Sequence, residues 1–596
     1  MSASNSYSYV ETLLGGIRRF PPAPTSDTPA FDFIIIGGGT AGLVLANRLT
    51  QREDISVLVL EAGENLTSHP RVKIPALYAT LLGSDADWAL VTEPQEGLKN
   101  RTLKIWQGRA LGGSSAINTG IFVPTSRSNL DTWSELGNSG WDWRTLLPYF
   151  KKSHTLVPPT DPAVLEHLHI DDIDAVTIGT DGPIQVSYVN EAEDPLPNVW
   201  VETLEKLGHA PTGDLASGNL QGVFTNPNSI DASTRERSYA TSAYLQPIEA
   251  RPNLTVITGA FVQKIILSGS TPTVTATGVQ YQKSSETLTA TAKREVILSA
   301  GALHSPKILE LSGIGNPTTL SEFNIETVIP NPNVGENLQD HPMAGFSFEV
   351  REGVDTMDDL YRQDPTKLQE VMRAYATERK GPLTQSAHSS ALLALPSEPE
   401  PSAWFHAYAA QGNFTDEPLD ASALLAGNFY TIIVSLLHPL SRGSVHISNS
   451  DSSAPAKINP QYLSHSQDLE TFAKHMAFIA RIITSSPMKF LIKPRGRRNA
   501  GAPKDLADLE AMKEYLRDTI QSSGHPVGTC AMLPRESRGV VDERLKVYGT
   551  KNLRVVDASV FPVATRGNPI ATVYAVAERA ADIVKEDLGL AKEGDD

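Results

Sequence analysis

Cysteine is almost absent: Cys530 stands alone in 596 residues. A single thiol excludes an intramolecular disulfide and leaves too few thiolates for a zinc–sulfur site, and it fits a reducing compartment. Positive charge is also scarce. Lys and Arg total 51 against 68 Asp and Glu, a formal net charge of −17. That balance argues against nucleic acid or an anionic membrane as partner, since both need a basic face. No apolar run is long enough to span a bilayer. The opening MSASNSYSYVETLLGGIRRF has no basic stretch followed by an apolar one, so no secretory signal is expected. The closing EGDD is not a peroxisomal address. The expected compartment is cytoplasmic.

What is there is ordinary globular material, 40% hydrophobic and 20% charged. At roughly 150 residues per domain the length allows about two to four domains. No internal repeat is visible. The clearest local signal is FDFIII at 31–36, which runs straight into Gly37, Gly38, Gly39, Thr40, Ala41 and Gly42, followed by LVLANRLTQ at helical spacing. Gly37, Gly39 and Gly42 thus form G-x-G-x-x-G between a strand and a helix. The first glycine permits the tight turn, the second lets backbone approach a pyrophosphate, and the third lets helix pack on strand. A second strand, SVLVLEAG, ends in Glu61, about twenty residues on, where a dinucleotide site holds the ribose. A carboxylate there repels a 2′-phosphate, which disfavours NADP. FAD and NAD are both compatible with these residues.

Three further segments are structured around small residues. GRALGGSSAIN (108–118) offers backbone N–H groups and hydroxyls to a polar edge. REVILSAGALHSPKILELSGIG (294–315) is a strand, a turn at Ala300–Gly301, and a helix. NLRVVDASVFP (552–562) is a strand ending in Asp557, and GNPIATVYAVAERAADIV (567–584) a helix with Asn568 suited to its N-cap and Pro569 to its first turn.

These segments, together with DWALVTEPQ, VGENLQDH, HPLSRGSV and GHPVGTCAM, resemble the glucose–methanol–choline family of FAD oxidoreductases, in particular its fungal aryl-alcohol oxidases and choline dehydrogenases. The likeness runs from about residue 31 to 588. It implies an α/β fold: a Rossmann-like FAD-binding domain with a discontinuous substrate domain built on an antiparallel sheet with helices. The FAD-binding parts are expected at 31–155, 225–340 and 535–590, the substrate-binding parts at 156–224 and 341–534, and 1–30 as an N-terminal extension. DGPIQVSY (181–188), strands near 346–350, 402–410 and 429–437, and a hairpin at 441–447 are expected in the substrate domain. The stretch 155–180 reads as a solvated insertion, its His167 and His169 notwithstanding, and no metal site is expected.

The resemblance also implies the cofactor contacts. Gly37, Gly39, Thr40, Ala41, Gly42, Glu61 and Ala62 belong to the adenosine and pyrophosphate side, with the backbone of Val262. Trp88, Arg109, Gly112, Gly113, Ser114 and Asn118 belong to the flavin side, and Ala300, Gly301, Asp557, Ala558, Asn568 and Pro569 also touch FAD. Some relatives link the flavin through a histidine just before the residue matching Asn118. Ile117 stands there, so non-covalent FAD is expected. Where the family continues into an Arg-Gly pair, this chain has Pro124–Thr125, so a differently shaped loop over the flavin is expected.

Oxidising an alcohol needs a base for the hydroxyl proton and an acceptor for the hydride, which flavin N5 supplies. Histidine suits the base. In the family it occupies the H-x-x-G-T segment, here His525, with a histidine or asparagine partner, here Asn568. Asn568 takes no proton at neutral pH, so it is left with a hydrogen-bonding role. The N-terminus of its helix would favour an anionic reduced flavin. Cys530, five residues from His525, shares no face with it in a helix or strand and is read as a bystander. The expected activity is FAD-dependent oxidation of a primary or secondary alcohol to a carbonyl, with O₂ or another acceptor, and a tailoring step on a secondary metabolite is the expected setting. The alternative is a non-redox lyase or cyclase that uses His525 as acid/base and keeps FAD structurally. Substrate identity and oligomeric state are not given by the sequence.

Overall fold

The computed structural model describes residues 29–589, apart from 171–172, 175, 189–195, 213, 272, 385–388, 397 and 415–423. Most of the expected N-terminal extension lies outside the described residues. The first half of the molecule is organised on a sheet with a parallel centre. Strands Leu254–Ile257, Val57–Leu60, Ala30–Ile36, Glu286–Leu298 and Leu553–Val555 lie side by side in that order, each parallel to its neighbour. Val57, Leu58, Val59 and Leu60 are at most 1% exposed, as strands covered on both faces should be. Glu286–Leu298 changes character along its length. Its polar first half pairs antiparallel with Thr275–Lys283, which pairs with Ala260–Ser268. Its second half joins the parallel centre and ends in the buried run Glu295, Val296, Ile297 and Leu298.

The second half is an antiparallel sheet in the order Gln521–Ser522, Pro342–Glu349, Phe429–Leu436, Ala403–Tyr408, Ser389–Leu393, Gly222–Thr225. Side chains alternate between its faces. Phe346, Phe348, Phe405, Ile432 and Val434 point one way, into a core shared with helices Leu196–Lys206, Ser466–Thr484 and Leu509–Thr519. Trp404 and His406, at alternate positions to these, take the other face. The α/β fold read from the sequence, a Rossmann-like domain plus an antiparallel sheet with helices, is the fold observed.

Several local expectations are corrected. Ile184–Ser187 was placed with the substrate domain. It pairs with His154–Val157 in a small parallel sheet, and Ile184 and Val186 pack into the core of the dinucleotide-binding half. The segment 441–447 is no hairpin by itself: Ser444–His446 pairs with Lys457–Asn459. The insertion is not only a solvated loop: Asp161 caps a helix Pro162–Leu168 whose Val164 and Leu168 are buried against Tyr188. Asn568 does not cap the C-terminal helix. That helix runs Ile570–Asp587, with Pro569 at the cap position and no side-chain cap bond. Among the described residues no helix is long and apolar enough to cross a membrane.

Candidate active site

The first glycine turn is fixed by close approach. Gly37 has φ of +102°, and a Cβ on it would lie 2.4 Å from the Ser299 carbonyl oxygen. A Cβ on Gly42 would lie 2.0 Å from the Gly37 oxygen, so helix Thr40–Leu49 can reach the strand only through glycine. Gly39 is different: the only atom near its Cβ position is the Gly113 Cα at 3.7 Å. It opens into a broad cleft. The second glycine segment is tied to the first, with the Gly112 N–H donating to the Gly38 oxygen at 2.8 Å.

This cleft gathers residues from across the chain. Gly37, Gly39, Thr40, Ala41, Glu61, Ala62, Trp88, Gly113, Ser114, Asn118, Val262, Ala300, Gly301, Asp557, Ala558, His525, Asn568 and Pro569 all line it. Gly42, Arg109 and Gly112 stand behind the wall. Gly42 packs on Gly37, the Arg109 guanidinium lies over the Trp88 ring at 4.9 Å, and a Cβ on Gly112 would press the Tyr239 ring at 2.7 Å. Gly42 and Gly112 contribute shape through packing, whereas Arg109 is exposed and its charge reaches Glu61. The sequence reading missed His304, whose ring centroid is 4.3 Å from that of Trp88, and Lys307, both on the same wall. The GALHSPK turn that carries them was visible, but nothing in it says which side chains turn inward.

Two carboxylates in the wall are committed to backbone. Glu61 Oε2 accepts from the Gly38 N–H at 2.8 Å and Oε1 from the Gly63 N–H at 2.7 Å. Burial pushes its pKa up to about 7, against smaller downward pulls from those N–H groups and Arg109. Asp557 Oδ2 accepts from the Gly301 N–H at 2.9 Å and the Ser305 hydroxyl at 2.6 Å, and Oδ1 from the Ser559 N–H at 2.8 Å. It ties the end of its strand to the 300–301 turn.

At one end of the cleft is His525. Its backbone N–H donates to Asp340 Oδ1 at 2.9 Å, as does that of His341 at 2.9 Å. Asp340 Oδ2 accepts from the Ser522 and Tyr462 hydroxyls. One buried carboxylate thus fixes the loop that carries the histidine. The ring itself meets two other groups. His525 Nδ1 is 3.0 Å from His341 Nδ1, and Nε2 is 3.4 Å from Asn568 Nδ2. Burial holds the His525 pKa well below the usual 6.5, with His341 and His406 adding to the fall. Its imidazole is therefore neutral at pH 7, with a lone pair available. Burial likewise holds His341 down to about 4 and His406 to about 3.

Asp340 and His341 lie within VGENLQDH, where sequence alone gave them no role. Only the pairing of Gln521–Ser522 with Pro342–Met343 brings them beside His525. Cys530 shares the loop but points into the apolar core, with no exposed surface. Burial raises its thiol pKa well above the ordinary value, which leaves no thiolate for catalysis. Thr125, in the loop that departs from the family pattern, buttresses the Asn568 segment: its hydroxyl accepts from the Arg566 N–H at 3.0 Å.

The wall suits FAD. Gly39 and Gly301 open toward the cleft, and no atom lies within 4 Å of the Gly301 Cβ position. The helices starting at Thr40 and Ile570 have no side-chain cap, which leaves their first N–H groups for anionic or carbonyl oxygens. The buried Ser299 Oγ and Asn568 Oδ1 have no hydrogen-bond partner among the described residues, and both residues line the cleft.

Comparison with known proteins agrees with this architecture. The GMC oxidoreductase family models match residues 31–343 and 439–577. The dehydrogenase mpl7 of Monascus purpureus is 34% identical over 618 aligned positions, spanning 94% of this chain and 97% of that protein. An FAD-dependent oxidoreductase from Chaetomium thermophilum superposes with a TM-score of 0.84 at 29% identity, over 94% of this chain and 100% of the other. A fungal aryl-alcohol oxidase superposes with a TM-score of 0.82 at 27% identity, over 95% and 100% of the two chains. The chain belongs to the GMC oxidoreductase family. It is an FAD-dependent oxidoreductase.

Proposed function

We propose that this GMC oxidoreductase oxidises a primary or secondary alcohol to the carbonyl compound, with His525 as the base. The observation that carries the proposal is the placement of His525 Nε2 beside Asn568 Nδ2, 3.4 Å away, on the wall of the cleft that the glycine turns open into. The alcohol hydroxyl hydrogen-bonds to both groups, giving its proton to Nε2 while the amide holds its oxygen. FAD, when bound, takes the hydride from the alcohol carbon. Asp340 keeps the base loop in place, and burial keeps His525 unprotonated and ready. Asn568 Nδ2 carries two hydrogens, so the amide has a donor for the alcohol oxygen as well as one facing Nε2. No residue of the site favours the lyase or cyclase alternative over oxidation.

The same proposal extends to the setting. The FAD is non-covalent, since Ile117 offers no nucleophile. The enzyme works in the cytosol, where a lone buried thiol is stable, as a tailoring step on a small secondary metabolite. Full-length likeness to the dehydrogenase mpl7 supports the redox activity on which this setting rests.

The test is anaerobic mixing of purified, flavin-loaded enzyme with a panel of aryl, allylic and aliphatic alcohols. Bleaching of the flavin band that is lost in His525→Gln supports the proposal. Bleaching at the wild-type rate in His525→Gln, or turnover without bleaching, overturns it. Readmitting O₂ then separates oxidase from dehydrogenase, and cell fractionation tests the compartment.

A further inference from the structure

His525 has two ring nitrogens, and only one can carry the proton in the neutral form. Catalysis as proposed above needs Nε2 bare, because Nε2 is the nitrogen in the cleft. A neutral imidazole free to choose would divide itself between both forms, and every molecule with its proton on Nε2 would be inactive.

The neighbours of the ring remove that choice. The Nδ1 atoms of His525 and His341 are 3.0 Å apart, so one of them must be N–H and the other a lone pair. The two rings are nearly perpendicular, at 86° with centroids 5.2 Å apart. This is an edge-on contact rather than a stack. On the opposite side, His525 Nε2 faces the amide nitrogen of Asn568 at 3.4 Å. An amide nitrogen only donates, so Nε2 is the acceptor. The proton therefore sits on His525 Nδ1 and is donated to His341 Nδ1. On this assignment His341 keeps its own proton on Nε2, which has no hydrogen-bond partner among the described residues, while the ring interacts with the Thr565 backbone.

We infer that His341 is a positioning residue that, together with Asn568, fixes the His525 tautomer: the Asn568 amide nitrogen makes Nε2 the acceptor, and His341 supplies the acceptor for the Nδ1–H, the task often given to a carboxylate in catalytic dyads. The nearest carboxylate, Asp340, is not available for it. Its oxygens accept from two backbone N–H groups and from the Ser522 and Tyr462 hydroxyls. His341 is suited to the task because it is 1% exposed and held at its own backbone by Asp340. When the alcohol O–H bond breaks and the Nε2–H bond forms, His525 becomes an imidazolium. Its Nδ1–H remains donated to the His341 lone pair, which offsets part of the new charge without adding a charge of its own.

The inference rests on His525 being the base, but its test does not. Holoenzyme labelled with ¹⁵N-histidine reports each ring's tautomer through long-range ¹H–¹⁵N correlations, and the His525 signals are assigned by their loss in His525→Gln. The wild type is expected to show Nδ1–H and a bare Nε2. His341→Ala should move the population toward Nε2–H. His341→Asn, whose side-chain oxygen still accepts, should keep the Nδ1–H form. An Nε2–H signal in the wild type, or an unchanged tautomer in His341→Ala, overturns the inference. Should His341→Ala fail to fold, the wild-type spectrum and His341→Asn decide. Failure of the base assignment would appear elsewhere, as flavin bleaching by the alcohol panel at the wild-type rate in His525→Gln.

Discussion

Arg48 and Glu578 lie 530 positions apart and form a two-point ion pair, with Nε to Oε2 at 2.8 Å and Nη2 to Oε1 at 2.7 Å. The Tyr244 hydroxyl adds a bond to Oε1 at 2.9 Å, and the Glu578 side chain has no exposed surface. Arg48 is on the helix that begins at the first glycine turn, and Glu578 on the helix that begins just after Asn568. The pair thus fixes two helix N-termini that both open into the cleft. Glu578→Gln leaves Arg48 half-paired in a buried site. It is expected to destabilise the holoenzyme by about 3 kcal/mol, read by urea unfolding at fixed FAD concentration.

Glu61 should make the apoprotein sensitive to pH. Its folded pKa of about 7 lies above the ordinary 4.5, so between those values the folded chain binds more protons than the unfolded one. Stability from this group falls as pH rises through that window, by roughly 3 kcal/mol in all. Melting curves of the apoprotein from pH 5 to 8 are expected to show the decline, and those of Glu61→Gln to lack it. The variant should also bind FAD about tenfold more weakly, because an amide has one acceptor oxygen for two N–H groups.

His525 predicts the opposite slope in the rate. Burial holds its pKa below 6.5, so the base form is already complete at neutral pH. Anaerobic flavin reduction is expected to be flat from pH 7 upward and to fall only on the acid side of 6.5, as protonation removes the lone pair. A rate that still climbs between pH 7 and 8 would contradict the assignment.

Asp340→Asn should separate loop placement from cofactor binding. The amide can replace one acceptor oxygen but not the other, so either the backbone N–H pair or the Ser522–Tyr462 pair loses its partner. Flavin content is expected to stay at the wild-type level, since the residue is not in the cleft wall. Flavin reduction should slow by about tenfold or more, and the two are compared by absorbance and stopped-flow mixing.

Ile117 is 3% exposed and packed with Val72, Leu81, Ala86 and Tyr239. No nucleophile stands at that position to bond the flavin. Acid precipitation is expected to leave a colourless pellet with all of the flavin in the supernatant.

The dinucleotide half was legible because its signals are local. G-x-G-x-x-G works through contacts within one turn, and the buried parallel strands appear as unbroken apolar runs. Small corrections came where a local preference met a tertiary demand. Asn568 has every attribute of an N-cap, yet the cleft takes its side chain and Pro569 stands at the cap. Ile184–Ser187 looks like any strand, and only its partner His154–Val157 decides which core it joins.

The sequence by itself therefore determined the cofactor-binding scaffold and the family, and it singled out His525 as the proposed base, because each is written in short segments whose chemistry is local. It could not determine what surrounds the base. Asp340 and His341 reach His525 through the pairing of two strands about 180 residues apart in the chain, and Asn568 reaches it through the packing that Arg48 and Glu578 hold. Such contacts depend on which surfaces the whole chain buries together, and the tertiary structure alone settles them.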